Sequence, residues 1–166
     1  MISLRKLQKE DRTIIVELIN NRKILDNLRD RIPYPYSLSD ADFFIDLTHK
    51  EEQQNTFAIT YNGDFCGVIG LIRLEDIHRL NAEIGYWIGE KYWNRGIITE
   101  AIDQVTQYGF ETLQLERIFA GVFDYNKGSM KALEKNGFQL EGIHRRAIVK
   151  NDVIYDEHLY AKLKEY

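Results

Sequence analysis

The stretch EKYWNRGIITEAI, residues 90–102, joins an aromatic pair, one Arg and a single Gly to an amphipathic helical pattern. A Gly-containing turn that opens a helix leaves several backbone N–H groups unpaired and presents the positive end of the helix dipole. Such a place attracts phosphate. Gly96 can take backbone angles denied to other residues. The amides of Asn94, Arg95, Gly96, Ile97, Ile98 and Thr99 can converge as a nest, and the Arg95 side chain adds a full positive charge. The expected ligand is a diphosphate, and an ordinary strand-to-helix turn without a ligand is the alternative. Neither the P-loop lysine pattern nor the three-glycine dinucleotide fingerprint is present.

Other reactive side chains give weaker signals. Cys66 is the one cysteine and lies in the apolar run FCGVIGLI, where a small buried hydrophobe is expected rather than a thiolate. His144 and His158 lack partners at metal-ligand spacing, so no metal is expected. Lys127, Lys131 and Lys135 fall on one helical face, suited to a phosphate or simply to solvent. Asn126 is placed to cap the same helix.

Length and composition bound the answer. One domain, residues 1–166, is expected from 166 residues of which 44% are hydrophobic. A formal charge of -4 gives no global reason to expect nucleic acid. A lone cysteine, an N-terminus without a signal-peptide core and the lack of a membrane-length apolar run together predict a cytoplasmic protein with no membrane partner.

These residues must be held by ordered elements. ISLRKL alternates as a strand, Asp11 precedes a helical pattern through Ile14, Ile15, Leu18 and Ile19, and Ser39 or Asp40 can cap a second helix bearing Phe43, Phe44 and Leu47 on one face. Asn62-Gly63 between NTFAITY and FCGVIGLIRLE is a strong hairpin signal. AEIGYWIG is a further strand, with Gly85 suited to a bulge. The helical pattern Ile98, Ala101, Ile102 and Val105 then leads to the strand RIFAGVF, a helix ending at Asn136-Gly137, and two strands joined near Asn151-Asp152. The fold class predicted is α/β (α+β), a mixed twisted sheet of six or seven strands with about four helices on its faces. Between the first two helices, Tyr34 and Tyr36 alternate with Pro33 and Pro35 in a stiff aromatic loop suited to recognising a substrate, or to a structural turn.

AEIGYWIGEKYWNRGIITEAI, followed by LERIFAGVFDYNKGSMKALEKNGFQLEGIHR, resembles the GNAT superfamily of acetyl-CoA-dependent N-acetyltransferases, in particular its RimJ/RimL-type branch. The resemblance is strongest from Glu83 to Arg145. It implies a GNAT-like acyltransferase fold, acetyl-CoA as cofactor, an amine acceptor (an N-terminal peptide or a small amine such as a polyamine), and a loop whose amides cradle the CoA pyrophosphate. It also implies that backbone groups near Trp87 and Ile88 pair with the pantetheine arm, that the Asn126 amide contacts it, and that Ser129 bonds the thioester sulfur. Two departures stand out: Trp93 and Ile98 occupy the outer positions of the loop pattern, and Leu133 stands where many relatives carry a Tyr that protonates the departing thiolate.

Acetyl transfer needs a base for the ammonium, an oxyanion donor and, above all, orientation. Glu83, a carboxylate among apolar residues on the strand expected to face the reaction centre, is the leading general base, with an exposed strand-edge charge as the alternative. The expected reaction is direct attack in a ternary complex; a non-catalytic acyl-CoA sensor is the competing reading, and a homodimer is left open.

Overall fold

The computed structural model describes residues 1–166. Seven strands form one mixed sheet in the order β1-β2-β3-β4-β5-β7-β6. In chain order these are β1 (Ile2–Arg5), β2 (Thr56–Tyr61), β3 (Asp64–Arg73), β4 (Asn81–Ile88), β5 (Arg117–Phe123), β6 (Gln139–Lys150) and β7 (Val153–Leu163). Five α-helices accompany them: α1 (Arg12–Ile19), α2 (Arg22–Leu25), α3 (Leu38–His49), α4 (Ile97–Glu111) and α5 (Lys127–Lys135). The expected fold class holds, with three helices rather than two ahead of β2. The chain divides into two compact units, Met1–Gly70 with Tyr86–Ile97, and Leu71–Gly85 with Ile98–Tyr166.

In the first unit β1 pairs antiparallel with β2, and β2 with β3 through a turn in which Asn62 and Gly63 both take positive φ, 52° and 91°. Two such residues in succession make the twist that hairpin strands require. Leu7, Ile15, Leu18, Ile19, Ala41 and Ile45 pack with Ala58, Phe65 and Val68 into the core of this unit. Ser37, not Ser39 or Asp40, caps α3: its hydroxyl accepts from the Asp40 amide while the Asp40 carboxylate accepts from the Ser37 amide. Along the helix Ala41 and Ile45 face inward and Phe43 and Leu47 lie exposed, against the expected apolar face.

In the second unit β4 runs parallel to β5 for three residue pairs, Asn81 to Arg117, Ala82 to Ile118 and Glu83 to Phe119. On its other edge β5 pairs antiparallel with β7 along its full length, and β7 pairs with β6. The β6–β7 hairpin turns at Asn151 and Asp152, both at positive φ (50° and 62°). Pleating puts Ile118, Ala120, Tyr160 and Ala82 on one face of these strands, all buried. Helices α4 and α5 lie on that face: a Cβ at Gly109 would meet Ile118 Cδ1 at 2.8 Å, and the Tyr160 hydroxyl donates to Glu134 at 2.9 Å.

Candidate active site

The loop from Gly89 to Gly96 is braced from behind. Trp93 donates its indole N–H to the Ile88 carbonyl at 2.9 Å, so this residue, expected to touch the cofactor, steadies the loop's own backbone. Upstream, Glu90 accepts from Asn21 Nδ2 at 2.6 Å and from Lys23 Nζ, tying the loop entry to the start of α2. Those two donors hold the Glu90 carboxylate below the usual range. Nothing local in the sequence announces this clamp, because its partners lie 67 and 69 residues away.

Beyond the brace the chain turns through left-handed conformations at Asn94 (φ 59°) and Gly96 (φ 75°) and enters α4. Alternation of left- and right-handed residues points successive N–H groups toward a common centre. Asn94, Arg95 and Gly96 are exposed, and a Cβ at Gly96 would meet nothing within 4 Å. Ile97 is buried at 1% exposure, so only its backbone is available to a ligand, whereas Ile98 and Thr99 are half-buried. Exposed backbone at a helix start, with left-handed residues at Asn94 and Gly96 and an exposed Arg95 between them, is the kind of segment that suits a diphosphate.

The strand before the loop packs closely against β3. The Trp87 carbonyl passes over Gly67, 2.2 Å from where a Cβ would stand, and the Ile88 carbonyl already accepts the Trp93 indole. Gly67 thus lets β3 pass close under the Trp87 peptide, and the Ile88 carbonyl steadies the loop that follows. Cys66 is buried, donates to the Ile59 carbonyl, and burial pushes its thiol up to about 11, as expected of a core residue.

Tyr36 corrects one expectation. It is buried at 8% exposure within the core of the first unit, its hydroxyl donates to the Asp40 carbonyl at 3.3 Å, and burial raises its pKa to about 12. It serves the fold rather than a substrate. Tyr34 stays exposed, with the Arg22 guanidinium 5.4 Å from its ring centroid.

In the second unit Glu83 is half-buried on the last paired rung of β4, on the face opposite α4 and α5. The parallel ladder ends there, and Gly85 has open space where its Cβ would be. Asn126 caps α5 by accepting from the Ser129 amide at 3.3 Å, and Ser129 is half-buried in the first turn. Leu133 is fully buried, so the position of the family's helix tyrosine belongs to the core here. Asn136 was read from sequence only as a helix end. Its amide donates to the Thr99 carbonyl at 2.9 Å and the Ala132 carbonyl at 2.8 Å, pinning the end of α5 to the first turn of α4. No group of three or more His, Cys, Asp or Glu side chains is arranged to hold a metal ion.

Residues 2–139 match the family model of the acetyltransferase (GNAT) domain. The chain belongs to the GNAT acetyltransferase family. Among curated proteins it is 42% identical over 101 residues to the uncharacterized N-acetyltransferase YoaA of Bacillus subtilis, covering 61% of this chain and 56% of that one. It is 31% identical over 117 residues to the ribosomal-protein-serine acetyltransferase of Escherichia coli, covering 70% and 65%, a likeness that supports the RimJ/RimL-type branch. The chain spans between 56% and 64% of the length of YoaA and two other Bacillus subtilis relatives. Among solved structures, the microcin C7 self-immunity acetyltransferase MccE, in complex with acetyl-CoA and AMP, superposes with a TM-score of 0.82 at 27% identity, over 98% of this chain and 92% of that one. No helix is long and apolar enough to cross a membrane.

Proposed function

We propose that this GNAT chain acts, as one catalytic domain over residues 1–166, as an N-acetyltransferase that moves an acetyl group from acetyl-CoA to a primary amine. The observation that carries the reading is the open loop with left-handed residues at Asn94 and Gly96, braced by Trp93 and Glu90 and leading into α4. The family resemblance assigns the amides from Asn94 to Thr99, with Arg95, to the pyrophosphate of acetyl-CoA, and separately assigns Asn126 to its pantetheine arm and Ser129 to its thioester sulfur. The cofactor supplies the acetyl group as a thioester. Glu83 takes the proton that an ammonium must lose before its nitrogen can form a bond to the acetyl carbon. With Leu133 buried, the position of the family's tyrosine supplies no proton, and the departing sulfur draws its proton through Ser129, from solvent or from the acceptor.

The acceptor is an N-terminal α-amine or a small-molecule amine, attacked directly with no acyl-enzyme. The reading includes a cytoplasmic location, supported by the single buried thiol, and sedimentation of the purified protein tests whether it works as a homodimer. The experiment that tests the function is release of CoA thiol from acetyl-CoA against a panel of amines and N-terminal peptides. Binding of acetyl-CoA with no release above background across the panel would replace transferase with acyl-CoA sensor, the second reading that the buried Leu133 favours.

A further inference from the structure

The face of β5 and β7 turned away from α4 and α5 carries Phe119, Gly121, Phe123, Glu157 and Leu159, and the same face of β4 carries Glu83. All six are half-buried, whereas the alternate residues Ile118, Ala120 and Val122 are fully packed. On this partly open face the Glu157 side chain does not extend into solvent. It folds across β5 and occupies the space that a side chain at residue 121 would fill, with Oε2 2.7 Å and Cδ 2.8 Å from the Cβ position of Gly121. His144, opposite Glu157 on β6, fixes the other oxygen, with Nδ1 and Oε1 3.1 Å apart. Phe123 pairs with Glu157 across the ladder, and an aromatic run continues from it, Tyr125 5.5 Å from Phe123 and Tyr155 4.8 Å from Tyr125.

A carboxylate lying along a partly open sheet face, with Phe123 as its ladder partner, suits an ammonium group through a charge-assisted contact. The one guanidinium in register on the same face, Arg117, is engaged by both oxygens of Glu141 at 2.6 and 2.5 Å. Gly121 lies two residues beyond Phe119, the partner of Glu83. That offset, roughly 7 Å along the strand and 5 Å across it, puts the Glu157 carboxylate about 8 Å from the backbone of Glu83. A short alkyl diamine is of comparable length.

We propose that Glu157, seated over Gly121 by His144, is an acceptor-recognition carboxylate that pairs with a second positive charge on the amine acceptor, and so selects small amines with two cationic groups. The proposal rests on the acetyl-transfer reading, with Glu83 at the reacting amine and Glu157 at the distal one. Glu157 is a positioning residue: its contribution is to binding and alignment of the acceptor.

The test compares putrescine with n-butylamine, which share a carbon chain and differ in the second charge, using the full chain and saturating acetyl-CoA. Wild type should favour putrescine in kcat/KM by roughly 10- to 100-fold, the worth of one charge-assisted contact. Glu157→Gln should collapse that preference through KM rather than kcat. Gly121→Ala, which displaces the carboxylate and keeps its charge, should reduce the preference in the same direction. A ratio near one in wild type, a ratio that survives Glu157→Gln, or a preference for singly charged N-terminal peptides over putrescine would overturn the assignment. Calorimetric titration of putrescine into the CoA-saturated protein separates this proposal from the transfer reading. Binding lost in Glu157→Gln supports the receptor even if no amine releases CoA, whereas turnover of other amines with no putrescine binding removes the receptor and leaves the transferase.

Discussion

Gly96 sits at φ 75° with nothing within 4 Å of its Cβ position, so a side chain there is opposed by backbone conformation alone and not by a neighbour. For an alanine that penalty is about 1–2 kcal/mol. A valine, with two branches on Cβ, pays more, and an asparagine less, since Asn94 in the same loop already holds φ 59°. The cost can emerge in two places. If the loop keeps its shape, the protein loses stability; if it relaxes to negative φ, stability is spared and the cost is met when the ligand reimposes the nest. Urea unfolding without ligand, combined with a calorimetric Kd for acetyl-CoA, measures both. For Gly96→Ala the stability loss and affinity loss together should reach about 1–2 kcal/mol, equivalent to roughly 5- to 30-fold in Kd if it all falls on binding. The order should be Asn, then Ala, then Val. A folded Gly96→Val protein with wild-type stability and wild-type affinity would refute both the conformational argument and the placement of the pyrophosphate.

Glu83→Gln should leave acetyl-CoA affinity nearly unchanged and lower turnover at neutral pH by about 10²- to 10⁴-fold, with partial recovery at alkaline pH as the free-amine fraction rises; a pH–rate profile parallel to wild type would assign the deprotonation elsewhere. Gly67→Ala should destabilise the fold by roughly 1–3 kcal/mol or more in chemical denaturation, because the new Cβ meets the Trp87 carbonyl and backbone must move. Glu90, whose carboxylate is held below its ordinary 4.5 chiefly by Lys23 and then by Asn21, contributes stability that is present above that value and lost as pH falls through its lower folded value. Glu90→Gln should accordingly flatten the loss of stability on acidification below about pH 4.5, and an acid-unfolding curve of unchanged steepness would count against the clamp.

Features set by neighbouring residues were legible in the sequence. Asn62-Gly63 and Asn151-Asp152 announce their turns because positive φ is a property of those residue types, and both turns are where the pattern puts them. The Gly96 loop was legible for the same reason. In SLSD three side chains could each cap a helix, and only the helix phase, fixed by which face meets the core, selects Ser37. That same phase decides between Ile45 and Phe43. Tyr36 looked like a recognition residue because an aromatic in a proline loop is equally suited to packing inward, as its burial shows. Glu90 and Glu157 carry no local mark at all, and Asn136 is marked only as a helix end, since each acquires its further role from a partner in another element.

Helix α5 is a ruler of fixed length. Asn126 locks one end as a hydrogen-bond acceptor and Asn136 locks the other as a donor, with nine residues between them. Adding or deleting a single residue inside it would rotate one end by about 100° relative to the other, so both locks cannot close at once. Insertions and deletions should therefore be barred from residues 127–135, yet tolerated at the exposed turn of Asn151 and Asp152, where added chain projects away from either lock. The helix thus works as a length standard against which any recombined or grafted version of this region can be judged before it is made.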